Sequence, residues 1–284
     1  MTAQTLQRPS TAEPAPAAKP RRKVTGRGVM HAYTWVIIAW LALPIFVMIA
    51  FGFNNPKGRY NQTWDGFTFK WYGQLFALSE LTSALFISLV IAVISMFVSG
   101  ALGTGIGYAL GRYHFRGSGS LNLIMFATMS SPELVMGASL LTLFVSLGVG
   151  LGVVTITIAH VMFSISFVAA VVRARVMTLD RSIEEAAADL GANAWTTFWK
   201  ITFPILLPAI FSGMLLAFAL SIDDFVVTNF TAGTTVTFPL WIWGATRVGL
   251  PPQVNVMGTL IFAAGVLIAV VSNIRSRRGS RKQD

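Results

Sequence analysis

The sequence predicts an all-α, polytopic membrane protein of six transmembrane helices with its N- and C-termini in the cytoplasm. Three observations carry that prediction. Of 284 residues, 54% are hydrophobic and only 11% are charged, with a mean hydropathy of +0.67, whereas a water-soluble chain carries roughly 25% charged residues. Six apolar stretches, at about 35–53, 84–110, 121–147, 151–172, 205–229 and 255–274, are each long enough at ~1.5 Å per residue to cross a hydrocarbon core of roughly 30 Å. The third observation is the distribution of Lys and Arg, which are retained on the cytoplasmic side. Six spans with the N-terminus inside place seventeen of the 21 basic residues there, from Arg8, Lys19, Arg21, Arg22, Lys23 and Arg27 to Arg275, Arg277, Arg278, Arg281 and Lys282. Only Lys57, Arg59, Lys70 and Arg247 fall outside. An odd number of spans would strand the C-terminal basic cluster on the outer face.

Residues 1–28 are rich in Ala, Pro, Thr and basic side chains, too poor in apolar surface to order themselves, and are read as a disordered cytoplasmic tail ahead of a membrane domain at 29–284. The first apolar run is longer than the core of a signal peptide and is followed by Asn54, Asn55, Pro56 and Lys57 rather than by a small-residue cleavage site. It reads as an uncleaved span. The outer loop 54–80 holds Tyr60, Trp64, Phe67, Phe69, Trp71, Tyr72 and Phe76, aromatic enough to lie at the membrane interface as a surface helix or irregular cap. In the second span Gly103, Gly107 and Gly111 recur at four-residue spacing, a pattern for close helix packing. His160 in the fourth span, with Ser164 one turn on, reads as hydrogen-bonded structure rather than a proton site.

Several chemistries are excluded. The chain has no cysteine, which removes disulfides, thiolate metal sites and cysteine nucleophiles. His31, His114 and His160 are too dispersed in sequence to suggest a local metal site. The run Gly103-Thr104-Gly105-Ile106-Gly107 follows no strand and is not a dinucleotide site, and no phosphate-binding P-loop occurs. Neither an enzyme nor a resident cofactor is expected. The net charge of +10 is a matter of topology and implies no nucleic-acid partner.

The inner loop 173–204 is distinctive because Asp180, Glu184, Glu185 and Asp189 concentrate four of the chain's 11 acids there. Ser182-Ile183-Glu184-Glu185 has the form of a capping box, Ala186, Ala187, Ala188 and Leu190 favour helix, and Gly191 suits the left-handed residue beyond a helix end. A short amphipathic helix is predicted over 183–190 and a second over 194–200, before Pro204 and Pro208 open the next span. Glu185-Ala186-Ala187, three residues, Gly191, nine residues, Ile201 and then Pro204 resembles the EAA motif of ABC-importer permeases, E-A-A-x3-G-x9-I-x-L-P, with Phe203 in place of the final Leu.

The resemblance extends to Ser131-Pro132-Glu133-Leu134-Val135-Met136-Gly137, to Ser221-Ile222-Asp223-Asp224-Phe225-Val226-Val227 and to Phe238-Pro239-Leu240-Trp241, which look like the spermidine/putrescine permeases of the PotC type. It covers roughly residue 84 to the end. It implies the type I ABC importer permease fold in a bacterial inner membrane. The partners it implies are a second homologous permease chain, a dimer of ATP-binding subunits carrying ATP-Mg, and an extracytoplasmic polyamine-binding protein. It also implies that the 183–190 helix couples to the ATPase, with Glu185 and Gly191 central and Ala186, Ala187, Ile201 and Pro204 completing the motif.

Glu133, Asp223 and Asp224 are the acids within the spans. Each costs about 2.5–3.5 kcal/mol at a helix centre, so such residues face a cavity or a partner. Carboxylates along a path suit a cationic substrate, and polyamines are cations. Neighbours on a helix stand ~100° apart, so Asp223 and Asp224 cannot both point squarely into one pore; one of them can instead cap a broken helix or pair with Arg247. Glu133 can line the path or hydrogen-bond a neighbouring helix. Two rival readings are a same-architecture permease for ferric iron, thiamine or a phosphonate, and a stand-alone secondary transporter or channel, which predicts inverted repeats.

Overall fold

The computed structural model describes residues 25–58 and 60–280. The chain forms α1 (Thr25–Phe51), α2 (Lys70–Gly73), α3 (Ser79–Arg112), α4 (Ser118–Ser130), α5 (Glu133–Ser146), α6 (Val153–Met177), α7 (Ser182–Asp189), α8 (Ala194–Thr197), α9 (Phe203–Ile222), α10 (Val226–Thr231), α11 (Phe238–Thr246) and α12 (Pro252–Ser280), with a π turn at Phe198–Thr202 joining α8 to α9. Most of the expected tail lies outside the described residues, as do Arg281 and Lys282. The tail's last four residues are helical, because α1 begins at Thr25.

All six expected stretches are helical, and the chain is a multi-pass membrane protein. Gly28–Phe51, Ser79–Arg112, Val153–Met177 and the continuous helix Ala194–Ile222 are each long and apolar enough to cross a membrane alone. The third stretch differs from a simple span. It is two helices, α4 and α5, whose axes turn by 108°. Ser131 and Pro132 at the corner are extended, with ψ of 135° and 127°, because proline pushes the residue before it out of the helical region and offers no N–H itself. The sixth stretch lies within the 29-residue helix α12.

Two further expectations are corrected. The fifth span does not run on to Asn229: it stops at Ile222, and the chain turns through Asp223–Phe225 before α10 restarts. Nor is 194–200 a separate helix. Phe203 donates its N–H to the Phe198 carbonyl in the wider i→i+5 pattern, so the chain passes Pro204 without a break. Among its described residues the loop 54–80 is an irregular cap with one four-residue helix, α2. It is centred on the buried Asn54, whose Nδ2 donates to Asn61 Oδ1 (2.7 Å), whose Oδ1 accepts from the Asp65 amide (2.8 Å) and whose carbonyl accepts from Trp71 Nε1 (2.8 Å).

The centre of the protein is the packing of α3, α6 and α9. Val168, Val172 and Val176 of α6 meet Leu206, Ile210 and Ala217 of α9. The glycine stripe brings α3 onto them: a Cβ at Gly103 would lie 2.7 Å from Val168 Cβ, at Gly107 2.5 Å from the Ala169 carbonyl oxygen, and at Gly111 2.8 Å from Val176 Cγ1. The backbones touch, and no larger residue fits. By contrast α1 buries none of its apolar window, presenting Trp35, Trp40 and Leu41 outward as a lipid-facing helix does.

Candidate functional site

The break between α9 and α10 organises the intramembrane site. Asp223 ends α9, and Asp224 begins the turn into α10. The two neighbours then have different fates. Asp224 points inward, its side chain only 6% exposed. Its Oδ2 accepts from the Thr228 amide and the Thr228 hydroxyl, both at 2.7 Å, and its Oδ1 accepts weakly from the Val227 amide at 3.4 Å. That is the cap of a broken helix, satisfying N–H groups that the α10 start would leave without partners.

His160 of α6 holds this turn in place. The fully buried ring lies with Nδ1 2.7 Å from Ser221 Oγ, and with Nε2 2.9 Å from Thr228 Oγ1 and 3.2 Å from Asp224 Oδ2. One proton arrangement serves all of these contacts: Ser221 donates to Nδ1, while Nε2–H is shared between the Thr228 hydroxyl and the carboxylate. His160 is therefore hydrogen-bonded structure, but not through Ser164, whose buried hydroxyl has no partner. The true partners are 61 to 68 residues away in sequence. Neither aspartate meets Arg247 among the described residues.

Asp223 has no hydrogen bond from another residue among the described residues and is exposed. It faces a cavity of about 320 Å³, whose walls also carry Glu133 and part of Asp224, with Met129, Met136 and Phe163 as apolar lining. Glu133 is the first residue of α5 and likewise exposed. Its place just past the Ser131–Pro132 corner sets a negative charge at a helix N-terminus, where the peptide dipoles favour it. Thus two interruptions, 90 residues apart along the chain, bring the three intramembrane acids to one cavity. On the other side of Asp223 an apolar pocket of about 390 Å³ is walled by Phe225, Phe238 and Trp243, with the Phe225 and Trp243 rings 5.1 Å apart.

In the loop 173–204, α7 is nearly the helix the sequence predicts, shifted by one residue. Its start is not the expected capping box. Ser182 is already helical, and its amide donates to Asp180 Oδ1 at 3.0 Å. These hydrogen bonds from Ser182, amide first and hydroxyl second, hold the Asp180 carboxyl below its ordinary pKa. The Glu185 amide, which a capping box would give to the Ser182 hydroxyl, donates instead to the Arg181 carbonyl at 3.1 Å. The end is as expected: Gly191 is left-handed with φ +83°, Ala192 donates to the Ala187 carbonyl (3.0 Å) and Gly191 to that of Ala188 (2.9 Å), a Schellman pair. Asn193 then caps α8, accepting from the Thr196 amide at 2.8 Å.

Along this loop Ala187 is buried, while Glu185, Ala186 and Gly191 are exposed. Exposed with them are Leu190 at 90% and Trp195 at 71%, the Trp195 ring standing edge-on to Trp199 with centroids 5.6 Å apart. Ile201 lies in the π turn and Pro204 in the first turn of α9. Sequence reasoning passed over Glu184, which is tied to Arg112 and Thr202. Only its place beside Glu185 could have signalled it, since Arg112 is 72 residues distant.

Residues 103–278 match the family described as binding-protein-dependent transport system inner membrane component. The chain is 36% identical over 251 residues to the spermidine/putrescine transport system permease protein PotC of Haemophilus influenzae, spanning 88% of this chain and 97% of that one. It is 37% identical over 241 residues to the putrescine transport system permease protein PotI of Escherichia coli K12, covering 82% and 85%. Among solved structures, a chain of a bacterial ABC transporter for the import of the acidic polysaccharide alginate superposes with a TM-score of 0.62 at 19% identity, covering 88% of this chain and 95% of that one. A chain of the inward-facing MetNI methionine ABC transporter gives 0.58 at 15%, covering 71% and 97%. Both share the permease fold.

Proposed function

Because the chain belongs to the family of binding-protein-dependent transport system inner membrane components, we propose that it is the permease subunit of an ATP-driven importer for polyamines such as spermidine and putrescine. The observation that carries this reading is the 36% identity across nearly the whole length of a spermidine/putrescine permease. The site is consistent in chemistry, because an ammonium group crossing low dielectric needs a counter-charge and Glu133 and Asp223 both face the same cavity. The six apolar stretches carry no Lys or Arg, the basic residues standing at helix ends or in loops, which disfavours a phosphonate.

In this reading the chain sits in a bacterial inner membrane beside a second, homologous permease chain. A dimer of ATP-binding subunits docks on α7, with Glu185 and Gly191 at the centre of the contact and Ala186, Ala187, Ile201 and Pro204 shaping it. ATP and Mg are bound by those subunits, and this chain holds no cofactor. An extracytoplasmic binding protein delivers the polyamine. Closure of the ATPase dimer moves α7, the spans rock, and the cavity exchanges access between the two faces. Asp223 and Glu133 supply charge to the passing cation, and Asp224 fixes the turn that presents Asp223.

Stimulation of ATP hydrolysis in the reconstituted complex tests the substrate. A spermidine- or putrescine-loaded binding protein should stimulate it. Stimulation by a binding protein loaded with ferric iron, thiamine or a phosphonate, and not by the polyamine-loaded one, would overturn the assignment.

A further inference from the structure

The coupling helix is held to the spans almost without apolar packing. Of the eight residues of α7 only Ala187 is buried, so side-chain burial supplies little of the stiffness that transmitting a push requires. What fastens it is one carboxylate. Glu184 Oε2 accepts from Arg112 Nε at 2.8 Å and also from Arg112 Nη2, and Glu184 Oε1 accepts from the Thr202 hydroxyl at 3.0 Å. Arg181 closes the ring by donating from Nη2 to the Arg112 carbonyl at 3.2 Å.

The geometry of these three partners is what gives the contact meaning. Arg112 is the last residue of α3, and Thr202 is the last residue of the π turn that runs directly into α9. The Arg112 and Glu184 side chains are only 10% and 23% exposed, so the pair is screened less than a surface ion pair. At its far end α9, 20 residues long and therefore about 30 Å, terminates in the turn that carries Asp223. Above the clamp α3 and α9 are locked together, for a Cβ at Gly100 would lie 2.6 Å from Met214 Cγ. Both Glu184 oxygens are occupied within the chain, while Glu185 beside it is exposed.

We propose that Glu184 is the positioning residue that makes α7, α3 and α9 move as one body, so that displacement of the coupling helix reaches the cavity acids. The two adjacent glutamates divide the work. Glu185 faces the ATPase subunit, and Glu184 faces inward and passes the motion on. This rests on the permease reading above and extends it to a residue outside the EAA motif.

The test uses the complete complex in proteoliposomes, reading spermidine uptake, ATP hydrolysis with and without the binding protein, and the proportion of assembled subunits. Glu184→Ala should still assemble and hydrolyse ATP, yet move about tenfold less spermidine per ATP, within the range that breaking a coupling network produces. Arg112→Glu should behave alike, and the reversed pair Arg112→Glu with Glu184→Arg should regain uptake per ATP over either single variant. Wild-type uptake per ATP in Glu184→Ala would overturn the proposal. So would a loss of uptake that only follows a loss of assembled complex, or a reversed pair no better than the singles. A wild-type complex without ATP-driven uptake would overturn the permease reading and this proposal with it, whereas a transporting wild type with an equally coupled Glu184→Ala overturns the clamp alone.

Discussion

Replacing Asp223 and Asp224 separately by Ala should divide transport from stability. Asp224→Ala removes the acceptor for the Thr228 amide and hydroxyl, both 2.7 Å away, and leaves His160 Nε2 with one partner fewer. Losing a helix N-cap costs about 1 kcal/mol, and losing a buried hydrogen bond to a charged group costs about 1.5–3 kcal/mol. The sum is about 3 kcal/mol, which at ~2–4 °C per kcal/mol for a chain of this size lowers the melting temperature by roughly 6 °C or more. Asp223→Ala removes no hydrogen bond from another residue and an exposed side chain, so stability should stay within about 0.5 kcal/mol of wild type. Its effect falls on the cargo. A carboxylate and an ammonium ~4 Å apart attract by about 4 kcal/mol at an effective dielectric of ~20. Hydration of an open cavity reduces this to the equivalent of about tenfold in uptake rate at sub-saturating spermidine. The assays are thermal unfolding of the purified complex in nanodiscs and initial-rate uptake in proteoliposomes. Normal uptake by Asp223→Ala together with an unshifted melting temperature for Asp224→Ala would refute this division.

Three further outcomes follow from the same geometry. His160→Ala should destabilise the protein by about 3 kcal/mol, because it opens a void and strands Ser221 and Asp224, and combined with Asp224→Ala it should cost less than the sum, since the two share bonds; additive melting shifts would contradict the network. Gly107→Val should cost at least about 1–3 kcal/mol, the typical penalty of over-packing, because its Cβ meets backbone at 2.5 Å; wild-type expression and melting would contradict the close crossing. Gly191→Val places a branched side chain at φ +83°, costing about 1–2 kcal/mol within the coupling loop, and should lower ATPase-coupled uptake more than it lowers global stability.

What could be read from the sequence depended on whether a feature was local. Run length and hydropathy locate the six apolar stretches, because crossing a hydrocarbon core is a property of ~20 neighbouring residues. The Gly103, Gly107 and Gly111 spacing announces close packing for the same reason. The 108° corner was half legible: Pro132 signals a bend, but its size is set by how α5 packs against α10, where Gly137 admits Phe230. The break after Ile222 was not legible, since an apolar run interrupted by two aspartates fits either a pore-lining helix or a capped restart. The decision between them lies with His160, 64 residues from Asp224. The capping box failed because α7 starts one residue early: Ser182 is already helical and the Glu185 amide bonds the Arg181 carbonyl. Glu184 was overlooked because its meaning depends on Arg112 and Thr202, brought together only when α3 and α9 pack.

ATP-dependent accumulation of labelled spermidine tests the central claim most directly, in proteoliposomes that contain this chain, its partner permease, the ATP-binding subunits and a polyamine-loaded binding protein. Uptake should require ATP, be competed by putrescine and vanish with Glu185→Lys while ATP is still hydrolysed. Accumulation that persists without ATP, or undiminished uptake with Glu185→Lys, would contradict it.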